Sequence, residues 1–246
     1  MYLEIFDITP LRNFFDIIYD SANIVEMKLD TNKLSISLLN NSHIAFYNLE
    51  MSKEFFGDYV IDGAEEILIF VDDFYKILKS ATKDDVLFLE TTDNHLVCKF
   101  EHDNNRRVFE LPLAEDYGES AVPPSIDYEG VFDLLLNDLK QPCNDLDKII
   151  GTDRFKMITQ DQVLTIVAPT DSMTAYNQMI DIDSDALCNV VVNLEYVKQL
   201  LKLSKINKVV TLKMGDGIPL SWSINSPDEL VCINGLIAPI IENEEE

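Results

Sequence analysis

The chain has 246 residues, of which 44 are Asp or Glu and 19 are Lys or Arg, so its formal net charge is −25 at pH 7. Such a balance argues against ordinary nucleic-acid binding, for which a basic footprint is expected. Apolar residues make up 47% of the chain, which is too high for an acidic disordered tail. The longest apolar run, residues 67–71, is far shorter than the roughly 20 residues of a membrane-spanning helix. With no basic residue at its start, the chain also lacks a secretory signal, and we expect a soluble intracellular protein.

Four segments carry apolar residues at the spacing of an α-helix. In the first of them, Thr9 is a suitable N-cap and Pro10 a suitable first helical residue. The four predicted helices are residues 9–18, residues 72–81, a segment that starts near residue 127 and runs past residue 139, and residues 194–204.

Short runs rich in Val, Ile, Leu and Phe lie between these helices, and turn residues join them in pairs. Adjacent runs with tight turns are typical of antiparallel sheets. The predicted strand pairs are 23–30 with 33–39, 86–91 with 96–101, 154–159 with 163–168, and 209–214 with 220–224.

Two short stretches recur at nearly the same offset, close to half the chain. Residues 15–18 match residues 132–135, and residues 74–78 match residues 196–200. A shared offset indicates an internal duplication. The sequence therefore predicts an α+β fold of two similar domains, each with two helices on one side of antiparallel strands. The predicted divisions are an N-terminal domain of residues 1–113, a Pro-containing acidic linker of residues 114–126, and a C-terminal domain of residues 127–246.

No arrangement of residues suggests an enzyme. The eight glycines form neither a dinucleotide-binding nor a phosphate-binding loop, and the three histidines form no zinc-protease motif. The four cysteines are too widely spaced for a structural zinc site. The acidic triplet that begins at Asp181 lacks the Gly and Glu of a calcium loop. We therefore predict no catalytic residue, no metal site and no cofactor.

The scarce basic residues concentrate on the sides of the predicted helices that face away from the apolar positions. This segregation would place one basic surface on an acidic body. The seven basic residues on these faces are Arg12, Lys76, Lys79, Lys140, Lys198, Lys202 and Lys205.

Residues 109–113 resemble the archaeal sliding clamps more than the animal or fungal ones. Five short motifs resemble, in order along the whole chain, the proliferating cell nuclear antigen family of sliding clamps. They are residues 41–44, 75–79, 122–123, 217–220 and 237–242. The resemblance implies a non-enzymatic processivity factor, a ring of three subunits whose helices line a channel around duplex DNA. Because topology holds a ring on DNA, it needs little affinity, which reconciles a net charge of −25 with DNA binding.

The resemblance also implies particular site residues. Channel cations of the family match Arg12, Lys76, Lys79 and Lys202, whereas Lys140, Lys198 and Lys205 lie nearby without a firm match. Other channel positions are uncharged here, namely Asn13, Tyr19, Leu134 and Asn137. The implied groove for partner peptides consists of Leu39, His43, Ile44, Phe46, Val122, Pro123, Pro219, Ala238, Pro239 and Ile241. The implied subunit interface pairs residues 107–113 with residues 173–180 and contains Arg107, Phe109, Leu111, Leu113, Met173, Tyr176 and Met179.

The partners that the resemblance implies are double-stranded DNA, further copies of the chain, DNA polymerase, the clamp loader, flap endonuclease and DNA ligase. The implied location is the cytoplasm for an archaeal protein and the nucleus for a eukaryotic one. Three alternatives remain open at this point. They are a subunit of a heterotrimeric or checkpoint-type clamp, an acidic DNA-mimic binding protein, and a metal-dependent nuclease that uses Asp72, Asp73, Asp84 or Asp85.

Overall fold

In this computed structural model the described residues are 1–115, 123–168 and 174–241. They form two compact units, which are described separately. The first contains residues 1–115 and 225–233, and the second contains the remaining described residues. Residues 225–233 therefore group with the first unit, although the predicted C-terminal domain includes them. The predicted domain boundaries stay predictions.

Residues 1–115 of the first unit form nine strands, two α-helices and one 3₁₀ turn at Lys53–Phe55. One sheet has the strand order β5-β1-β7-β8-β9, and a second contains β4-β3-β2-β6, with antiparallel pairing throughout. The elements are β1 (Tyr2–Ile5), α1 (Thr9–Ile18), β2 (Ile24–Leu29), β3 (Lys33–Leu39), β4 (Ala45–Ser52), β5 (Tyr59–Val60), β6 (Glu65–Phe70), α2 (Val71–Lys79), β7 (Val86–Thr91), β8 (His95–His102) and β9 (Asn105–Pro112).

The two helices of the first unit pack against each other through aromatic side chains. The rings of Phe15 and Phe74 meet edge to face with their centroids 4.9 Å apart, a geometry that aromatic pairs favour. The helix α1 begins one residue earlier than the predicted first helical residue Pro10, at Thr9, with Ile8 as its N-cap. The predicted N-cap role of Thr9 is wrong because the Asp7 carboxylate already accepts a hydrogen bond from the Thr9 N–H, at 2.9 Å.

The second unit has a four-stranded sheet in the order β13-β12-β11-β14 and an antiparallel group β10-β15-β16. The last strand, β17, divides between the two units after Ile233. The elements are β10 (Gly130–Leu135), α3 (Leu136–Asp145), a π-helical turn (Leu146–Ile150), β11 (Arg154–Gln160), β12 (Val163–Val167), β13 (Asn177–Asp181), β14 (Cys188–Asn193), α4 (Leu194–Leu200), a 3₁₀ turn (Leu201–Lys205), β15 (Val209–Met214), β16 (Leu220–Asn225) and β17 (Val231–Ile237).

The third helix was predicted in the wrong place. Residues 130–135 form strand β10, in which Phe132 and Leu134 are buried while Val131 and Leu135 are exposed. This alternation has the period of a strand, and the helix begins only at Leu136. The match between residues 15–18 and 132–135 therefore aligns a helix with a strand and is not evidence of an internal repeat.

The duplication is nevertheless present in the order of elements. Each unit starts with a strand and a helix, continues with strands and a second helix, and ends with three strands. The other matched stretch, residues 74–78 and 196–200, lies on α2 and α4. Each unit thus has the predicted two helices and antiparallel sheets. None of the helices in the described part of the chain is long and apolar enough to cross a membrane.

Candidate functional site

The predicted cations of the first unit lie on α1 and α2 among acidic side chains. Lys76 and Lys79 are exposed on α2, and Arg12 on α1 is partly buried. The Lys76 ammonium pairs with the Asp72 carboxylate one turn earlier. The hydrogen bonds that Lys76 and Tyr19 donate to this carboxylate hold the pKa of Asp72 below its usual range. The Lys79 Nζ lies 5.1 Å from the centre of the Tyr75 ring, a cation–π contact. The face of α2 is therefore mixed in charge.

The predicted cations of the second unit lie on α3, α4 and the turn after α4. Lys140, Lys198 and Lys202 are exposed, as is Lys205. The Lys198 Nζ is 2.8 Å from Asp147 Oδ2, so one predicted DNA contact already has an acidic partner within the chain. The predicted basic surface is therefore interrupted by acidic residues, since Asp72 and Asp147 lie beside these cations.

Sequence reasoning missed three exposed lysines next to the helices. Lys83 follows α2, Lys148 lies in the turn after α3, and Lys208 follows the turn after α4. The periodicity of each helix ends before them, so helix-face arguments could not include them. One uncharged position was misplaced as well: Leu134 is buried on β10 and is not on a helix face.

The predicted partner groove includes a loop between β3 and β4 that one buried side chain holds in shape. Asn40 is 5% exposed, and its Oδ1 accepts hydrogen bonds from the backbone N–H of Ile44 at 2.8 Å and of Ala45 at 3.0 Å. The N–H of His43 donates to the Asn40 carbonyl at 2.9 Å, and His43 has a φ of 59°, in the left-handed region. The loop therefore presents His43 and Ile44 to solvent on a fixed backbone. Asn40 was missed, although Asn is a common turn-stabilising residue.

The other predicted groove residues of the first unit differ in exposure. Leu39 is partly buried at the end of β3, and Phe46 on β4 is 7% exposed. Phe46 therefore belongs mainly to the core. Val122 lies outside the described residues.

In the second unit, two predicted groove residues line a cavity of about 290 Å³ near the C-terminus. Pro239 and Ile241 contribute to it together with Gly217, and the backbone N–H of Ile240 donates to the Val191 carbonyl at 2.7 Å. This bond fixes the segment after β17 to strand β14. Three further predicted residues have exposed or partly exposed side chains: Pro123, Pro219 and Ala238.

The predicted interface strands lie at sheet edges. Among the described residues β9 pairs only with β8, and β13 pairs only with β12. Pro112, which lacks an N–H, is the last residue of β9, where a strand tolerates proline. Met179 on β13 is 67% exposed. Tyr176 is partly buried, Phe109 and Leu113 are partly buried on or beside β9, and Met173 lies outside the described residues.

Two of the predicted interface residues face their own unit. Leu111 is 3% exposed, and the Arg107 guanidinium pairs with the buried Asp85 carboxylate and donates to the Ser80 carbonyl at 2.9 Å. Burial alone would raise the pKa of Asp85, but hydrogen bonds from Thr82 and Arg107 lower it on balance. Arg107 therefore ties β9 to the segment after α2.

Two of the four acidic residues considered for a nuclease bind neighbouring side chains. Asp85 binds Thr82 and Arg107, and Asp72 binds Lys76. Within residues 1–115, 123–168 and 174–241, no group of three or more His, Cys, Asp or Glu side chains is placed to hold a metal ion.

Two units of this kind, with cations on their helices and sheet edges left open, define the DNA clamp fold. A family model described as the N-terminal domain of proliferating cell nuclear antigen matches residues 3–115. A DNA polymerase sliding clamp of Methanothermobacter thermautotrophicus is 29% identical over 98% of this chain and 98% of its own. The solved structure of the PCNA2–PCNA3 complex of Sulfolobus tokodaii superposes with a TM-score of 0.87 at 20% identity, covering 98% of this chain and all of that one. Proliferating cellular nuclear antigen of Entamoeba histolytica gives the same TM-score at 15% identity, over 98% of each chain.

The match over residues 3–115 and the similarity to DNA polymerase sliding clamps along 98% of the chain support a sliding clamp of the proliferating cell nuclear antigen family. The fold class and the sliding-clamp prediction, as a class of non-enzymatic protein, are thereby confirmed. The archaeal-like character is consistent with the matched relatives.

Proposed function

We propose that the chain is a DNA polymerase sliding clamp that forms a ring of three identical subunits around duplex DNA. The observation that carries this proposal is the match to sliding clamps along 98% of the chain, in sequence and in fold. A clamp has no reaction to catalyse. Its role is to keep a polymerase and other replication and repair proteins on the DNA.

The ring closes, in this proposal, when β9 of one subunit pairs with β13 of the next. Both strands have one edge without a ladder among the described residues, and such edges are templates for pairing between chains. The exposed side chain of Met179 lies on β13. Backbone hydrogen bonds and apolar contacts would contribute most of the stability, since exposed ion pairs are worth only about 0–1 kcal/mol each.

The helices would face the DNA, with Arg12, Lys76, Lys79 and Lys202 as the main cations and Lys140, Lys198 and Lys205 beside them. The carboxylates that pair with Lys76 and Lys198 reduce the local positive charge. Weak, mobile contacts suit a ring that must slide, because each phosphate contact adds to the salt-dependent affinity. At physiological salt the Debye length is about 8 Å. The repulsion between DNA at the helix faces and acidic residues elsewhere on the chain is therefore largely screened.

The loop around His43 and Ile44, Pro123, and the cavity near Pro239 would bind short hydrophobic peptides of partner proteins. Support comes from the exposed Ile44 on a hydrogen-bonded loop and from the cavity that Pro239 and Ile241 line. DNA polymerase, clamp loader, flap endonuclease and DNA ligase are the proposed partners. They would meet the clamp in the cytoplasm of an archaeal cell or in the nucleus of a eukaryotic one.

The molecular mass in solution tests the proposed assembly. Sedimentation equilibrium should give a mass near three times the 28.1 kDa of one chain. Met179→Asp should shift the mass to that of one chain, because it places a charge in the proposed interface. Val60→Asp is the matched control, since Val60 is 59% exposed on the first unit. A wild-type protein that stays a monomer at high concentration would contradict the homotrimer and favour a subunit of a heterotrimeric clamp.

A further inference from the structure

Strand β10 has an open edge that its counterpart in the first unit lacks. Among the described residues β10 forms a ladder only with β15. The counterpart β1 pairs with β7 on one side and with the short strand β5 on the other. In the first unit, β5 lies in the connection between β4 and β6, residues 53–64. The corresponding connection in the second unit, between β13 and β14, consists of residues 182–187 alone. This shorter connection leaves β10 without an equivalent of β5.

Part of that edge is closed, and the rest is open. A Cβ at Gly130 would lie 3.2 Å from the Ala186 side chain, so the connection covers the start of β10. Further along, Val131 and Leu135 are 49% and 50% exposed. An exposed strand edge with apolar side chains is an attachment site for another strand.

An apolar cavity of about 450 Å³ lies at the C-terminal end of β10, and Leu135 belongs both to its lining and to the exposed stretch of the strand. The cavity lies between the start of α3 and the 3₁₀ turn after α4. Its lining consists of Leu135, Leu136, Asn137, Lys140, Leu201, Ser204 and Lys208. It is large enough for one aliphatic side chain of a ligand, and its two lysines are exposed.

The charges along this edge indicate what would bind there. Lys140 and Lys208 stand at the cavity on a chain whose net charge is −25. Asp133, in the middle of the strand, is engaged by the Thr211 hydroxyl at 2.6 Å. A ligand strand should therefore carry neutral polar side chains opposite Asp133 and acidic ones beside the two lysines.

We propose that the β10 edge and this cavity bind an extended segment of a partner protein. The segment adds a strand along residues 131–135, inserts one aliphatic side chain into the cavity, and places acidic residues beside Lys140 and Lys208. Main-chain hydrogen bonds would provide affinity and the cavity would provide specificity, as in other strand-addition complexes. The site is separate from the groove proposed above, and it shares only Lys140 with the proposed DNA contacts.

A labelled synthetic peptide tests this proposal with the full chain. The probe is acetyl-TVTVTLDEE-amide, and its binding is followed by fluorescence anisotropy. We expect saturable binding that Leu135→Glu weakens about tenfold or more and that Lys208→Glu weakens about threefold or more, with a smaller salt dependence. A peptide with proline in place of the second of its three threonines should bind more weakly, because it loses one backbone N–H that would donate to the β10 ladder. Phe6→Glu and Lys83→Glu, at exposed sites of the first unit, should leave the affinity unchanged.

Several results would overturn the proposal. One is a wild-type chain that shows no saturable binding up to about 1 mM peptide, equivalent to a binding free energy weaker than about −4 kcal/mol. A second is equal affinity in wild type and Leu135→Glu when circular dichroism shows both folded. A third is tighter peptide binding after deletion of residues 242–246, because the chain's own acidic end would then be the occupant. A fourth is a Lys208→Glu variant with weaker retention on DNA and unchanged peptide affinity, because Lys208 would then be a DNA contact.

Discussion

Replacing Arg107 by Met should destabilise the first unit through an uncompensated buried carboxylate. The Asp85 side chain is 6% exposed, and its carboxylate accepts hydrogen bonds from the Thr82 N–H at 2.6 Å, from the Thr82 hydroxyl at 2.9 Å and from the Arg107 guanidinium. Breaking a fully buried ion pair costs about 3–5 kcal/mol. The Arg107 side chain is 37% exposed and Thr82 keeps two bonds, so we expect a loss of about 2–3 kcal/mol in the free energy of unfolding.

The neighbouring residue on β9 supplies the matched control. Arg106 is exposed and its Nε is 2.7 Å from the partly exposed Glu101, so Arg106→Met should cost only about 0–1 kcal/mol. Urea unfolding at pH 7 and at one fixed protein concentration measures both variants, because the apparent stability of an oligomer depends on concentration. In an Asp85→Asn background, Arg107→Met should cost much less, since the buried charge is already gone.

The same pair predicts a pH dependence. The pKa of Asp85 is lowered in the folded state. The ionised carboxylate therefore adds to the free energy of unfolding above the unfolded pKa of about 3.9, and this contribution is lost as the pH falls through the folded pKa. The difference in stability between wild type and Arg107→Met should therefore be largest near neutral pH and shrink below about pH 4. Equal losses for Arg106→Met and Arg107→Met, or a difference that does not change with pH, would refute this reasoning.

Three further predictions concern the proposed clamp sites. Replacing Lys76, Lys79 and Lys202 together by Ala should leave the trimer intact but flatten the salt dependence of DNA binding, since each phosphate contact contributes about 0.9 to the slope of log K against log salt; an unchanged slope would remove the channel assignment. Ile44→Ser, or a shorter linker around Pro123, should weaken binding of hydrophobic partner peptides in a titration while DNA encirclement persists, because binding energy concentrates in a few buried anchors; wild-type affinity in both would contradict the groove. Trimers should weaken at low ionic strength and tighten modestly as salt screens the repulsion between subunits of charge −25, and sedimentation that instead shows steady dissociation with rising salt would assign ring closure to ion pairs.

Local patterns predicted the fold well where each element was bounded by its own signals. Strand β7 lies at the predicted residues, 86–91, because a short run of apolar residues there is bounded by turn residues. Helix α2 starts one residue before its predicted start at residue 72, since its apolar residues keep the helical period. Strand β10 failed because Val131, Phe132 and Leu135 also fit a helical spacing, and its strand partner β15 is far away in sequence.

The candidate sites depended more on contacts that no local pattern contains. The exposure of His43 and Ile44 was expected from the family resemblance, but the role of Asn40 requires knowledge of which N–H groups its side chain meets. The direction in which Arg107 points is set by the register of β9 on β8, where it lies opposite Phe100. The alternation of side chains along β9 does not by itself show which of the two faces of the strand packs against its own unit.

Topological retention on DNA tests the central claim most directly. The chain would be threaded onto linear duplex DNA, both ends would then be blocked with biotin–streptavidin, and the salt would be raised until electrostatic binding is lost. A sliding clamp predicts that the protein stays on the blocked DNA at high salt and leaves as soon as a restriction enzyme cuts the duplex. Release at high salt while both ends are still blocked would contradict the account.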